Sequence, residues 1–184
     1  MVVSLSQKSG MGLSDGVVSE LTAIFNVKPG HEEQVRLACK RFTDVIRATD
    51  AQATQKAGLR DARLVLFDDN RRLLLTTNFE TDWDPYADDI LAAFGPESWF
   101  DWLQHLVGID DHVQAGNAAR AKPYLQAHQA PASGYWHGLS DTTVPEIRKA
   151  LSLERAFQQV LNDPAAAQAL QHPALKPLLD QAAD

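Results

Sequence analysis

Residues 61–94, DARLVLFDDNRRLLLTTNFETDWDPYADDILAAF, decide the fold class. Ala62 to Phe67 and Arg72 to Phe79 are rich in Leu, Val, Phe and Thr and predict two strands. Asp69 and Asn70 lie between them, and both tolerate the left-handed backbone that a two-residue hairpin requires, so the strands are expected to be antiparallel neighbours. Leu64 to Phe67 and Leu73 to Leu75 are unbroken apolar runs, which predicts that both faces of this part of the sheet are covered. Asp84 then stands where a helix cap is needed, with Pro85 at the first helical position and Tyr86, Ile90, Leu91 and Phe94 on one helical face.

Working outward, Glu20 to Val27 alternates Leu21, Ala23, Phe25 and Val27 with Glu20, Thr22, Ile24 and Asn26, the period of a half-buried strand. Lys28-Pro29-Gly30 ends it, and Val35, Ala38, Cys39, Phe42, Val45 and Ile46 recur at three- and four-residue steps, predicting a helix that runs to about Thr49. Residues 48–59 are expected to be a polar connection. Beyond Gly95-Pro96, ESWFDWLQHLVGI has the apolar density of a short helix, and a further helix is expected around 118–127. Ser133 to Leu139 is the best candidate for a fourth strand, although its two glycines weaken it. Thr143 and Glu146 have capping-box spacing before the helical face of Ile147, Ala150, Leu151, Phe157, Val160 and Leu161. Residues 165–181 are expected to form one or two short helices.

Strand, helix, strand, strand, helix and a late strand make the βαββαβ order of an α+β, ferredoxin-like antiparallel sheet with two helices on one face. The expected organisation is an arm over 1–18, a ferredoxin-like domain over 19–162 with a helical insertion over about 95–130, and a helical extension over 163–184. The second sheet face must be closed either by a partner subunit, giving an isologous homodimer, or by the helices after residue 95. The dimer is the preferred expectation.

Composition narrows the classes of partner. Seventeen basic residues against 24 acidic ones give a net charge of -7, which leaves no electrostatic footprint for nucleic acid or an anionic membrane. Cys39 is the single cysteine, so no internal disulfide is available, and no segment approaches the roughly 20 apolar residues of a membrane span. The expectation is a cytoplasmic protein.

Three segments, LTAIFNVKPGHEEQVRLA, ARLVLFDDNRRLLLTTNFETDWDPYADDI and YWHGLSDTTVPEIRKALSLERAF, resemble an uncharacterised group of bacterial ferredoxin-like proteins across roughly residues 20–160. The architecture is more distantly similar to antibiotic-biosynthesis-type monooxygenases, dimeric α+β barrels, and to single lobes of dye-decolorising-type haem peroxidases. The resemblance implies a sheet face that lines a small-molecule cavity and a possible oxidative activity; no catalytic set carries over as a unit. Gly12-Leu13-Ser14-Asp15-Gly16 matches the GxxDG pattern of the peroxidases, in which the Asp assists peroxide cleavage beside haem. Haem is therefore an alternative cofactor, with His105, His112, His128 and His137 the imidazoles to test as axial ligands, against the plainer reading of a Gly/Ser/Asp turn.

Candidate ligand-binding residues are Asn78, Trp83, Tyr135 and His137. Tyr135 and His137 share one face of the expected fourth strand, and a neutral imidazole there is suited to accept a proton from a bound phenol or enol, which makes His137 the candidate catalytic residue. Asn78 at a strand end and Trp83 in the loop after it would orient a ligand, or Asn78 would simply satisfy the loop backbone. Asp82, Asp84, Asp88 and Asp89 lack calcium-loop spacing and are read as helix-end acids, and no close ligand spacing supports zinc. The expected function is binding of a small apolar or aromatic molecule, with oxidation as its enzymatic form; the competing class is a non-catalytic structural or interaction module, in which the patch of Trp99, Phe100, Trp102 and Leu106 serves only packing.

Overall fold

The computed structural model describes residues 6–7, 12–109 and 121–182. The chain divides into two compact units, Met1–Val144 and Pro145–Asp184, so the boundary falls after the first residue of the long helix Val144–Leu161 rather than at residue 162.

In the first unit the elements run β1 (Ser6–Gln7), β2 (Leu13–Asp15), β3 (Val18–Asn26), α1 (Glu32–Ala48), α2 (Ala51–Lys56), β4 (Leu59–Phe67), β5 (Arg72–Phe79), α3 (Trp83–Phe94), α4 (Pro96–Leu103) and α5 (Ala121–Ala127). The five strands form one antiparallel sheet in the order β1-β2-β3-β5-β4. From β3 onward the central pairing of β3 with β5 and of β5 with β4 is the ferredoxin-like arrangement. The place beside β3 that a fourth strand fills is shared by β2 and by a short antiparallel bridge between Ala23 and Gln129.

That is a correction to the expected fourth strand, because residues 133–139 form no ladder. Their donors go elsewhere: the His137 N–H to Asp15 Oδ2 (2.9 Å) and the Leu139 N–H to His137 Nδ1 (3.2 Å). Nor is the N-terminal stretch wholly an arm. Leu13–Asp15 turns through Gly16 and Val17 into β3, with Ser14, Asp15 and Val18 buried. The polar connection after α1 contains α2, begun by Asp50, whose carboxylate accepts the Gln52 N–H at 3.0 Å.

Two local expectations also change. The β4–β5 hairpin is four residues long, with Asp68, Asp69 and Asn70 all at positive φ (56°, 55° and 61°), and the Arg71 guanidinium holds Asp68 at 2.9 Å. Helix α3 begins at Trp83 after Asp82, so Asp84 lies inside its first turn; Asp84 and Asp88 instead approach the Lys122 ammonium at 2.7 and 3.2 Å.

One core joins the sheet to α1, α3, α4 and α5. Leu21, Ala23 and Phe25 of β3 and Leu73, Leu75 and Phe79 of β5 meet Val35, Ala38 and Phe42 of α1 and the buried face of α3. The Trp-rich helix α4 enters this same cluster: Phe42 lies edge-on to Trp99 at 4.7 Å and Phe25 to Trp102 at 6.0 Å, while Tyr124 of α5 stacks on Phe25 at 5.5 Å. Helices α4 and α5 therefore thicken the first face of the sheet, and do not close the second.

The second unit is helical. It comprises α6 (Val144–Leu161, begun at the end of the first unit), α7 (Ala167–Leu170) and α8 (Lys176–Ala182), with single 3-10 turns at Pro164–Ala166 and Pro173–Leu175. Leu151, Leu153, Val160 and Leu178 are exposed, and Ala150, Leu153, Phe157 and Leu178 line an open apolar cleft of about 270 Å³. Among the described residues no helix is long and apolar enough to cross a membrane.

Candidate functional site

Strand register decides which side chains share the second sheet face. Glu20 pairs with Asn78 and Asn78 with Asp61, and successive rows bring together Thr22, Thr76 and Arg63, then Ile24, Leu74 and Val65, then Asn26, Arg72 and Phe67. Alternation puts all of these opposite the helical core. The face is graded: polar at the Glu20–Asn78–Asp61 end, apolar in the middle, with the Arg72 guanidinium 4.9 Å above the Phe67 ring at the far end. Ile24 and Leu74 are half-buried and Val65 is 42 % exposed, so the apolar middle lies open. Thr76 Oγ1 on this face is buried and has no hydrogen-bond partner among the described residues.

Residues 131–143 form a strap tied to the polar end. Tyr135 donates its hydroxyl to Asn78 Oδ1 (3.0 Å), and Asn78 Nδ2 donates to Asp61 Oδ2 (2.8 Å), a chain of polarised bonds that ends on a carboxylate. Burial, followed by the negative charges of Asp61 and Glu20, pushes the Tyr135 hydroxyl up to about 12. Tyr135 is therefore a neutral phenol at physiological pH, a donor to Asn78 that keeps a lone pair for a second donor.

A buried ion pair anchors the strap further along. Arg60 is the extra residue of a β-bulge between Leu59 and Asp61, which frees its side chain from the strand's alternation. Its Nε meets Glu80 Oε1 at 2.8 Å, with the two side chains 6 % and 7 % exposed. Its Nη1 donates to the Leu139 carbonyl at 3.0 Å and its Nη2 to the Thr142 carbonyl, while Glu80 Oε1 also accepts the Val144 N–H at 2.6 Å. At the other edge Val17 donates its N–H to the Ser140 carbonyl (2.7 Å).

The expected ligand-binding residues thus fall into three places. Asn78 and Tyr135 meet on the second face. His137 belongs to the strap, where its Nδ1 accepts the Leu139 N–H and lies 3.4 Å from Arg60 Nη1. Nδ1 is therefore the unprotonated nitrogen and Nε2 carries the proton, so the ring offers a donor to a ligand where proton abstraction needs an acceptor. Trp83 belongs to the helical core on the opposite side of the sheet, 4 % exposed, beside a cavity of about 20 Å³ that it lines with Thr77, Tyr86 and Ile90.

The imidazoles considered for haem are dispersed. His105 faces His31 with 3.0 Å between their Nδ1 atoms, His128 donates Nδ1–H to the Tyr124 carbonyl (2.9 Å), and His112 lies outside the described residues. Asp15 of the GxxDG pentapeptide is 7 % exposed and is taken up in holding the His137 N–H, with Gly16 supplying the positive φ (60°) of a hairpin turn. Among the described residues no group of three or more His, Cys, Asp or Glu is placed to hold a metal ion.

Arg60, Glu80 and Asp61 are the site residues that sequence reasoning missed, and Asp15, singled out for haem, instead holds the strap. Arg60 and Glu80 fall at the outer ends of the hairpin strands, and only the bulge makes Arg60 turn to the strap. Asp61 was legible as the partner of Asn78 once the hairpin length was known.

No known family's sequence pattern and no curated protein matches the chain. Among solved structures it is similar to tetracenomycin F2 cyclase from Streptomyces glaucescens, a type-II polyketide cyclase. The identity is 16 %, over 65 % of this chain and 97 % of that one, at a TM-score of 0.36, too slight a likeness to carry an activity across.

Proposed function

We propose that the chain binds a small apolar or aromatic molecule on the second face of its sheet, with a polar group of the ligand at the Tyr135–Asn78–Asp61 end. The observation that carries this reading is the graded face itself. A hydrogen-bond relay that ends on a carboxylate and keeps a free lone pair on Tyr135 borders an apolar surface of Ile24, Leu74 and Val65 that the helices of the first unit leave open. Apolar bodies with one polar anchor are what such a lining selects. A second copy closing the same face isologously would complete the enclosure, and supports the homodimer as part of the proposal. His137, as an Nε2–H donor on the strap, is an auxiliary anchor in this arrangement. Oxidation of a bound phenol is the enzymatic extension that the family resemblance implies.

The test uses 2-naphthol as probe. Calorimetric titration is expected to show binding that weakens about tenfold in Asn78→Ala, the equivalent of roughly 1.4 kcal/mol, and in Val65→Glu, with the fold retained by circular dichroism. Absence of binding by the wild type, or equal binding by both variants, refutes the reading. Light scattering of the wild type and Val65→Glu tests the dimer separately, and incubation with the probe under air, followed by chromatography, tests the oxidation. A second reading, an interaction module, is favoured by α6, which exposes Leu151, Leu153 and Val160. It predicts loss of a protein partner, with unchanged probe binding, when residues 145–184 are removed.

A further inference from the structure

Away from the second sheet face, two histidines from distant parts of the chain meet at the exit of β3. His31 stands immediately before α1, and His105 lies in the turn after α4. Their Nδ1 atoms are 3.0 Å apart, with ring centroids at 5.2 Å and ring planes inclined at 58°. Both residues are half-buried, within reach of solvent.

The backbone beneath them is fixed through a single residue. Lys28 donates its N–H to the His105 carbonyl at 2.8 Å, and its own carbonyl accepts the His31 N–H at 3.0 Å. A bridge between Val27 and Leu106, and the Val107 N–H on the Asn26 carbonyl at 2.8 Å, hold the same crossing. The charges around the pair are already committed: the Lys28 ammonium to the Gln104 carbonyl at 2.8 Å, and Arg41 to both Asp101 oxygens at 2.8 and 2.9 Å.

We propose that His31 and His105 form a two-imidazole chelate for a divalent transition-metal ion, Cu²⁺ above others, through their facing Nδ1 atoms. The centroid separation of 5.2 Å shows that the ring axes lie close to the Nδ1–Nδ1 line, so each ring swings by roughly 25° to aim its lone pair at the ion, and with metal–nitrogen bonds of about 2.0–2.1 Å a 3.0 Å bite then subtends roughly 90–95° at the metal. That is the angle between adjacent positions of a square-planar or octahedral ion, narrower than the tetrahedral angle of zinc. Water fills the remaining positions. The ion displaces the Nδ1 proton that bridges the two rings, and that proton passes to the same ring's Nε2 so that both imidazoles stay neutral; the apo pair is a hydrogen bond and the loaded pair a clasp between the start of α1 and the end of α4. Because Lys28 pre-positions both backbones, binding orders little beyond two rings, and the ion stabilises the folded state by mass action.

The experiment titrates the whole chain with CuCl2 in a buffer that does not bind copper, following the d–d absorption and the thermal midpoint. The wild type is expected to take up one equivalent with a raised midpoint, and His31→Ala and His105→Ala each to weaken uptake at least tenfold, whereas His172→Ala, at an exposed imidazole of the second unit, leaves it unchanged. Ni²⁺ follows more weakly. Should either alanine variant fold poorly, the wild type alone decides: substoichiometric Cu²⁺ should broaden the His31 and His105 ring proton signals before those of any other histidine. Uptake that survives both substitutions, broadening that begins at another histidine, or no uptake at all overturns the proposal and leaves the pair a simple hydrogen bond.

Discussion

Glu80→Ala is the sharpest test of how the strap is held. The substitution removes the carboxylate that receives Arg60 Nε at 2.8 Å and the Val144 N–H at 2.6 Å, in a pair whose side chains are 6 % and 7 % exposed. Arg60 keeps the Leu139 and Thr142 carbonyls, so its guanidinium stays hydrogen-bonded but loses the carboxylate that balances its charge. Breaking one side of a buried pair costs about 3–5 kcal/mol, because the remaining charge stays desolvated. Against a typical domain stability of roughly 5–15 kcal/mol this is a large fraction. Urea unfolding followed by the fluorescence of Trp83, Trp99 and Trp102, all in the first unit's core, reports that unit. With a slope of about 1.5–2 kcal/mol per molar, the midpoint should fall by roughly 2 M. Glu80→Gln keeps an acceptor for Val144 and should lose less. The paired replacement Arg60→Met with Glu80→Leu should recover much of the loss, since no charge is then left buried. A loss under about 1 kcal/mol for Glu80→Ala, or a double variant no more stable than the single one, would refute the assignment of the strap's hold to this ion pair.

Three further outcomes are expected. In alkaline difference spectroscopy the first tyrosine to ionise in the folded protein should be Tyr135, near 12 against an ordinary value of 10, because burial drives Tyr86 and Tyr124 higher still; Tyr135→Phe should delete that first step. The sign follows for stability: the folded state holds this proton more tightly than the unfolded chain, so the contribution is complete below pH 10 and is lost as pH rises through 12. Cys39, buried and with its thiol pushed up to about 12 by burial and then by Asp101, should resist a thiol reagent at pH 8 until urea unfolds the domain; rapid labelling of native protein would contradict the packing of α1. Gly16→Ala should cost about 1–3 kcal/mol, since a side chain at φ 60° is strained and its Cβ would lie 2.1 Å from the Ser140 carbonyl oxygen; unchanged urea midpoints would show that the strap yields freely.

Much of the fold was legible because it is carried by local periodicity. The alternation of Glu20 to Val27 gave the faces of β3, and the steps of Val35, Ala38, Cys39 and Phe42 gave the buried face of α1. What failed to show were features set by distant partners. Ser133 to Leu139 has the residues of an edge strand, but Asp15 takes one of its donors and His137 takes another before any ladder forms. Apolar runs in β4 and β5 announced that the second face wanted cover, yet they could not say that Trp99 and Trp102 would spend their area on the first face instead. Asn78 and Tyr135, singled out from residue type and position, do meet on the second sheet face. Trp83 was misplaced because α3 begins two residues earlier than an Asp84 cap implies and carries the indole into the core.

The strap also sets an order of events during synthesis. The bond between Asp15 and His137 spans 122 residues, and Arg60 reaches carbonyls about 80 residues downstream. Hairpins β2–β3 and β4–β5 and the helices between them can emerge and pair while Tyr135 is still inside the ribosome. During that interval the second sheet face is bare along its whole length, from Glu20 to Phe67, and the β3 edge lacks its bridge to Gln129. Such long-range closure is slow relative to local pairing, and exposed sheet in the waiting chain is where association between nascent molecules begins.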